Sequence, residues 1–248
     1  MDDLEQKRTT TASFGDIADA YLDSDVHQFG ADLELLASWC DGASRALDVA
    51  CGTGHTAGAL GEIIDTVVAA DATPEMMETA TEAFDLPGIV ADAERLPFAD
   101  HTFDAVTCRI AAHHFPNPQT FVDEVSRILS PGGVLAFEDN VTPNDEGLAE
   151  FYNRFERLRD PTHGEAQSVA QWQDWLREAG FTIDESVTVR KELDYDSWVE
   201  RTKTSAERRE KLEQLVRQPG AKEVYDVTVK DGAVHGFSNE KLLVRARK

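Results

Sequence analysis

Basic residues are scarce in this 248-residue chain: 24 lysines and arginines face 47 aspartates and glutamates, a formal net charge of -23. Lysine is the rarer of the two, eight against sixteen arginines. No basic stripe is visible, which disfavours direct binding to nucleic acid. Cysteine is scarce as well. Cys40, Cys51 and Cys108 form no CxxC pair and an odd number, so disulfides are not expected and a reducing compartment fits. Long apolar runs are missing: nothing approaches the ~20 residues of a membrane span. The opening segment, MDDLEQKRTTTASFGD, has no apolar h-region, so no signal peptide is expected. Together these absences point to a cytoplasmic protein with no membrane span.

The acidic residues are scattered along the chain, so they do not form a disordered tail. At this density self-repulsion destabilises a compact chain in dilute buffer. Molar salt shortens the Debye length to ~3 Å and largely removes that repulsion. A halophilic protein in a high-salt cytosol is the expectation, against the plainer one of an ordinary acidic protein. Hydrophobic content of 41% is enough for a core, and the length suits one large α/β domain.

The most informative stretch is Arg45–Asp71, RALDVACGTGHTAGALGEIIDTVVAAD. It reads as a strand, a glycine turn, a helix and a second strand ending in a carboxylate. Gly52-Thr53-Gly54 allows a tight turn and a close backbone approach to a ligand. The helix starting near His55 points its free N–H groups at that ligand. Asp71, at the strand tip, can accept both hydroxyls of a ribose. Gly52-x-Gly54-x-x-Ala57 with Asp71 also fits a dinucleotide fingerprint. Two features favour S-adenosylmethionine instead. Asp48 lies in the strand four residues before Gly52, where a pyrophosphate has little use for it and a methionyl amino group does. Asp92, in Val90-Ala91-Asp92-Ala93-Glu94, follows the third strand and can accept from an adenine amine. Amine, ribose and adenine are thus matched by three carboxylates in order.

Residues 12–40 read as an N-terminal helical cap, interrupted at Ser24-Asp25. Strands are expected at Arg45–Ala50, Thr66–Ala70, Gly88–Ala91, Phe103–Cys108 and Gly133–Glu138, with helices Pro74–Phe84 and Pro118–Leu129 between them. Ser130-Pro131-Gly132-Gly133 closes the second helix. This alternation implies a parallel sheet covered on both faces. Beyond Asn140, Leu148, Phe151, Tyr152, Phe155 and Leu158 make one apolar helix face. Ser168 caps a helix carrying Trp172, Trp175 and Leu176. Phe181–Val189 alternates as a strand, and Asp196–Gln218 has helical period. Glu223–Val229 and Lys241–Ala246, around the Asp231-Gly232 turn, read as the last two strands.

The chain resembles the class I S-adenosylmethionine-dependent methyltransferases, in the branch of the ubiquinone/menaquinone-biosynthesis C-methyltransferases (methyltransferase type 11). The matching text is LDVACGTGHTA, VVAADATPEMMETA, VADAERLPFADHTFDAVTCRIAAHHFPNP and VSRILSPGGVLAFEDN, over roughly residues 45–140. FGDIADAYLDSDVHQFGADLELL resembles the branch as well. The resemblance implies an α/β, Rossmann-like seven-stranded mostly parallel sheet with an antiparallel last strand, helices on both faces and an N-terminal helical cap. One domain is expected: cap at 1–44, cofactor-binding core at 45–140, substrate-side helices and final strands at 141–248. By the same resemblance Asp48, Gly52 and Gly54 surround the methionyl part. Asp71 goes to the ribose, Ala72 and Met76 to the ribose–adenine side, Asp92 and Ala93 to the adenine. Arg109 lines the methionyl end, and Tyr21 and His27 close the site from the cap.

Methyl transfer from a sulfonium is an in-line displacement in which the protein chiefly aligns the reacting atoms. A general base helps where the acceptor loses a proton. His113 and His114, past the fourth strand, are candidates, and each could equally pack or cap a turn. They lack metal-ligand spacing, and no metal site is expected. Arg154 and Arg157 share a helix face and, with His163, could hold an anionic acceptor or simply pair with surface acids. The expected partner is a small-molecule acceptor, with a homodimer left open. The competing functions are an S-adenosylmethionine sensor without catalysis and a nucleotide-dependent oxidoreductase.

Overall fold

The computed structural model describes residues 2–15, 22 and 30–248. After helix α1 (Asp3–Gly15) and helix α2 (Ala31–Trp39), strands and helices alternate: β1 (Arg45–Val49), α3 (His55–Gly61), β2 (Thr66–Asp71), α4 (Pro74–Phe84), β3 (Gly88–Val90) and β4 (Phe103–Arg109). A 3-10 turn at Ala112–His114 leads into α5 (Pro118–Ile128) and β5 (Leu129–Asn140). The remainder comprises α6 (Glu146–Arg159), α7 (Val169–Glu178), β6 (Thr182–Glu192), α8 (Tyr195–Arg201), α9 (Ala206–Leu215), α10 (Pro219–Tyr225), β7 (Thr228–Lys230), β8 (Ala233–Gly236) and β9 (Ser238–Arg247).

Seven strands form one sheet in the order β3-β2-β1-β4-β5-β9-β6. β1 to β5 run parallel, and β9 inserts antiparallel between β5 and β6. The expected Rossmann-like sheet with an antiparallel last strand is what the chain forms. The near-continuous apolar strands RALDV, TVVAAD and FDAVTCR are buried because helices cover both faces. On one face Phe121, Val125, Ile128, Trp172 and Leu176 from α5 and α7 pack against Leu47, Val106 and Phe137. On the other, Leu36, Trp39, Leu60 and Met77 from α2, α3 and α4 pack against Ala46, Ala69 and Ala105. Small strand residues on that second face let the helices approach closely. Among the described residues no helix is long and apolar enough to cross a membrane.

Some boundaries differ from the sequence reading. The first helix begins at Asp3 rather than residue 12. The turn at Ser130–Gly133 lies inside β5, where the register with β4 slips between Phe103 and Ala105. Asp196–Gln218 is two helices, separated near Lys203, whose φ is 50°. Glu223–Val229 is not a sheet strand. Pro219 starts a helix there, and its Ala221, Val224 and Tyr225 join an aromatic cluster with Tyr152, Phe155, Trp198 and Phe237. The Asp231-Gly232 turn joins β7 to β8 in a separate two-stranded hairpin, and β9 alone enters the main sheet from this region.

Candidate functional site

The sheet order reverses between β1 and β4, whose chain connections run to opposite sides, and open α/β sheets bind ligands at that point. Backbone strain marks it. Ala50 after β1 and Ile110 after β4 have φ of 52° and 56°. A β-branched residue in the left-handed region is a true outlier, costing on the order of 1–3 kcal/mol. The turn is pinned by Cys51 N–H to the Ala70 carbonyl and Ile110 N–H to the Glu138 carbonyl, at 3.1 and 2.7 Å.

A cavity of about 370 Å³ opens over these strand ends. Its wall includes Gly52, Asp71, Ala72, Met76, Asp92, Ala93, Arg109 and His114. Gly52 has φ 54°, and a Cβ added there would meet no protein atom within 4 Å, so its open side belongs to the cavity. Gly54 has φ 89°, but its added Cβ would lie 2.9 Å from Ala80 Cβ and 3.1 Å from the Phe84 ring. Gly54 therefore lets α3 and α4 pack closely and is not on the cavity wall, contrary to the expectation of a methionyl contact.

Asp71 is buried, and burial pushes its carboxyl pKa up against the pull of backbone N–H groups. Its Oδ2 accepts from Gly52 N–H at 2.9 Å and its Oδ1 from Thr73 N–H at 2.8 Å. One side chain thus fixes the glycine turn and keeps a free lone pair on each oxygen for a diol. Asp48 is buried behind Ala50, off the cavity wall. Its Oδ1 accepts from the Thr107 hydroxyl at 2.7 Å. Desolvation raises its pKa to about 7, against the smaller opposing effects of Thr107 and Arg109.

Asp92 is engaged on both oxygens. Oδ1 accepts from Glu94 N–H at 3.0 Å, and Oδ2 meets Lys7 Nζ at 2.7 Å. Lys7 also reaches Glu94 at 2.7 Å, and Glu94 accepts from Asn117 N–H at 2.6 Å. Neither Lys7 nor Glu94 was singled out from sequence. The pairing joins residues 87 positions apart, and no local pattern signals it. Through Lys7, Thr10, Thr11 and Phe14, α1 forms one wall of the cavity.

At the β4 tip, Arg109 is held by Asp32 of α2 at 2.8 Å and Glu138 of β5 at 2.9 Å. Lys191 meets Asp32 at 3.2 Å and Lys241 meets Glu138 at 3.6 Å, completing an ionic network that touches the cavity through Arg109 and otherwise lies behind the wall. The two adjacent histidines part company. His114 lies on the wall, and its Nδ1 sits 3.0 Å from the Thr162 carbonyl oxygen. That carbonyl fixes the Nδ1–H tautomer of the neutral ring, leaving Nε2 as the basic nitrogen. Desolvation, helped by His113, pushes the pKa of His114 down to about 4. His113 is buried behind the wall. Its Nδ1 is 2.6 Å from Asp139 Oδ1, and its backbone N–H donates to Asp139 Oδ2 at 2.7 Å.

The structure does not bring Arg154, Arg157 and His163 to the cavity. Arg154 is exposed over the Phe151 ring, and Arg157 is exposed with Nε donating to the Gly164 carbonyl at 3.0 Å. His163 is buried, its Nε2 2.8 Å from Asn153 Oδ1. The apolar face of α6 turns inward and leaves both arginines outside. Tyr21 and His27 lie outside the described residues. Among the described residues no cluster of His, Cys, Asp or Glu could hold a metal ion.

A family profile described as a methyltransferase domain matches residues 47–137. The chain is 35% identical over 212 residues to the uncharacterized methyltransferase YcgJ of Bacillus subtilis, spanning 82% of this chain and 84% of the relative. A candidate methyltransferase from Bacillus halodurans superposes with a TM-score of 0.84 at 35% identity, covering 88% of this chain and 99% of the other. A demethylmenaquinone methyltransferase of Corynebacterium urealyticum is 37% identical over 111 residues, 45% of this chain and 48% of its own length.

Proposed function

We propose, on the premise that this chain belongs to the S-adenosylmethionine-dependent methyltransferase family, that it methylates a small-molecule acceptor in the cavity over β1 to β4. One observation carries the assignment of the site. The glycine turn, the ribose-type carboxylate Asp71, the acidic loop at Asp92 and the histidine past β4 converge on one cavity wall. When bound, S-adenosylmethionine supplies a methyl group already activated on a cationic sulfur.

The residues fit that cofactor. Gly52 leaves room where a side chain would intrude. Asp71 offers two lone pairs to the ribose hydroxyls, and Ala72, Met76 and Ala93 border the ribose–adenine side. Asp92 would take the adenine amine once Lys7 yields one oxygen. Asp48 supplies buried negative potential for the methionyl amino group, and Arg109 positive potential for its carboxylate. His114 borders the cavity with Nδ1 engaged by Thr162, which supports Nε2 as the atom that receives the acceptor's proton. His113 and Asp139 hold the 3-10 turn that presents His114. The same reading places the enzyme in a cytosol, and its charge suits high salt.

Calorimetry tests the site directly. S-adenosylhomocysteine is expected to bind in the micromolar range and NADH not to bind. Tighter binding of NADH would sink the assignment, and so would an Asp71→Ala variant with unaltered S-adenosylhomocysteine affinity.

A further inference from the structure

The charges around the cavity constrain the acceptor that the proposed methyltransferase takes. Among the described residues two cations line the wall, Lys7 and Arg109, and each is held between two carboxylates. The positive charge left in the Arg109 network is matched by the methionyl carboxylate when the cofactor is in place. Among the described residues a loaded site therefore offers no unmatched cation to an anionic acceptor.

A cationic acceptor is opposed for other reasons. The wall carboxylates Asp71, Asp92 and Glu94 stand at the tips of β2 and β3, already engaged by backbone N–H groups or by Lys7. The methyl group to be transferred sits on a cationic sulfur, which repels a second positive charge. Past Arg109, whose charge is taken up by Asp32 and Glu138, the wall is neutral: Ile110, Ala111 and His114, with Thr10 and Phe14 of α1. Phe14 meets the His114 ring edge-on, with centroids 5.0 Å apart. Thr10 Oγ1 is buried there without a hydrogen-bond partner, a polar atom that a ligand hydroxyl can satisfy.

We infer that the acceptor is an uncharged, largely apolar molecule that presents a hydroxyl to His114 and rests its apolar body against Phe14 and Ile110. This rests on the methyltransferase reading and narrows it. In the step, the acceptor oxygen forms a bond to the methyl carbon, the C–S bond breaks with its electron pair on sulfur, and the hydroxyl proton passes to His114 Nε2. The sulfonium charge is thereby replaced by the imidazolium charge. Burial keeps His114 a weak base, with a pKa of about 4. Such a base cannot hold the proton of an alkylammonium product. It does take one from a protonated ether oxygen, which is a far stronger acid, so an oxygen nucleophile suits this site.

The test is calorimetry on the full chain saturated with S-adenosylhomocysteine, repeated for the cationic probe with sinefungin, whose amine carries the positive charge that S-adenosylhomocysteine lacks, using three probes: 4-propylphenol, 4-propylbenzoate and 4-propylbenzylammonium. The phenol is expected to bind at least tenfold more tightly than either ion. Phe14→Ala is expected to weaken the phenol several-fold, and Asp32→Asn, which removes one partner of Arg109, to strengthen the benzoate. Tighter binding of either ion, no binding of the phenol, or a benzoate affinity unmoved by Asp32→Asn overturns the inference. Failure of S-adenosylhomocysteine to saturate the chain would instead overturn the methyltransferase reading on which it stands.

Discussion

His113 Nδ1 and Asp139 Oδ1 lie 2.6 Å apart in a pocket closed to solvent, while the next residue, His114, faces the cavity. The pair separates two roles that adjacency in sequence would merge. Replacing His114 by Ala is expected to lower kcat by roughly 10²-fold or more, the usual weight of a general base. Cofactor affinity should stay within a few-fold. Replacing His113 by Ala removes the ring's contact with the buried Asp139, which keeps its backbone donors at residue 113 and Asn140, a loss of about 1.5–3 kcal/mol for a hydrogen bond to a charged group. Its main effect should be a lower melting temperature. Steady-state kinetics with a melting curve for each variant checks this; equal thermal losses would erase the distinction.

Gly52 and Gly54 should respond differently to alanine. At both, the left-handed backbone costs a side chain about 1–2 kcal/mol. At Gly54 the new methyl also collides with Ala80 and Phe84, so stability should fall further. At Gly52 it meets only the cavity, so S-adenosylhomocysteine binding should suffer more than stability. A Gly52→Ala variant with wild-type affinity would remove the glycine turn from the cofactor site.

Asp48 makes stability depend on pH. Its folded pKa, about 7, lies above the ordinary carboxylate value of 3.8, so the folded state favours the protonated form. The benefit of that protonation is fully present below the unfolded value and is lost as pH rises through 7. Between pH 6 and 8 the chain without cofactor should lose on the order of 1 kcal/mol from this group. A bound methionyl ammonium compensates the charge, so the melting-temperature gain from S-adenosylhomocysteine should widen over the same interval. His114 acts below it. With a folded pKa of about 4 against an ordinary 6.5, its neutral-state stability is lost as pH falls from 6.5 towards 4. Melting curves from pH 4 to 8, with and without S-adenosylhomocysteine, show both limbs.

Salt should stabilise the chain. A net charge of -23 repels itself weakly screened at ~0.01 M, where the Debye length is ~30 Å, and strongly screened at molar salt. The melting temperature is expected to rise steadily with KCl and to flatten when several surface acids are replaced by Asn or Gln. A flat or falling curve would count against adaptation to high salt and leave the cofactor site untouched.

The parallel core was legible because its signals are local. Apolar runs, glycine turns and a carboxylate at each strand tip need only a few neighbouring residues. Asp71 and Asp92, which the fold brings to the cavity wall, were picked out that way. The division between His113 and His114 was not, because a 3-10 turn rotates successive residues by about a third of a turn, and only the packed structure shows which one reaches the cavity. Helical spacing put Arg154 and Arg157 on one face but could not say that Phe151 and Phe155 would claim the inward one. Glu223–Val229 alternates enough to suggest a strand, yet Pro219 and the aromatic cluster draw its first half into a helix. Lys7 and Asp32 act on partners far along the chain, where sequence carries no mark of the pairing.

Helix α1 has no buried residue along its length, although it forms part of the cavity wall. Its attachment runs through Lys7, the Gln6 amide to the His114 carbonyl, and Asn117 to Asp3. Phe14 adds a ring contact. Lifting such a helix exposes ions and amides far more than hydrocarbon. It should therefore take up little heat capacity, in contrast to melting of the sheet. The enthalpy of detaching α1 itself would then change little with temperature, and any marked heat-capacity change on binding would report the apolar surface that the ligand buries.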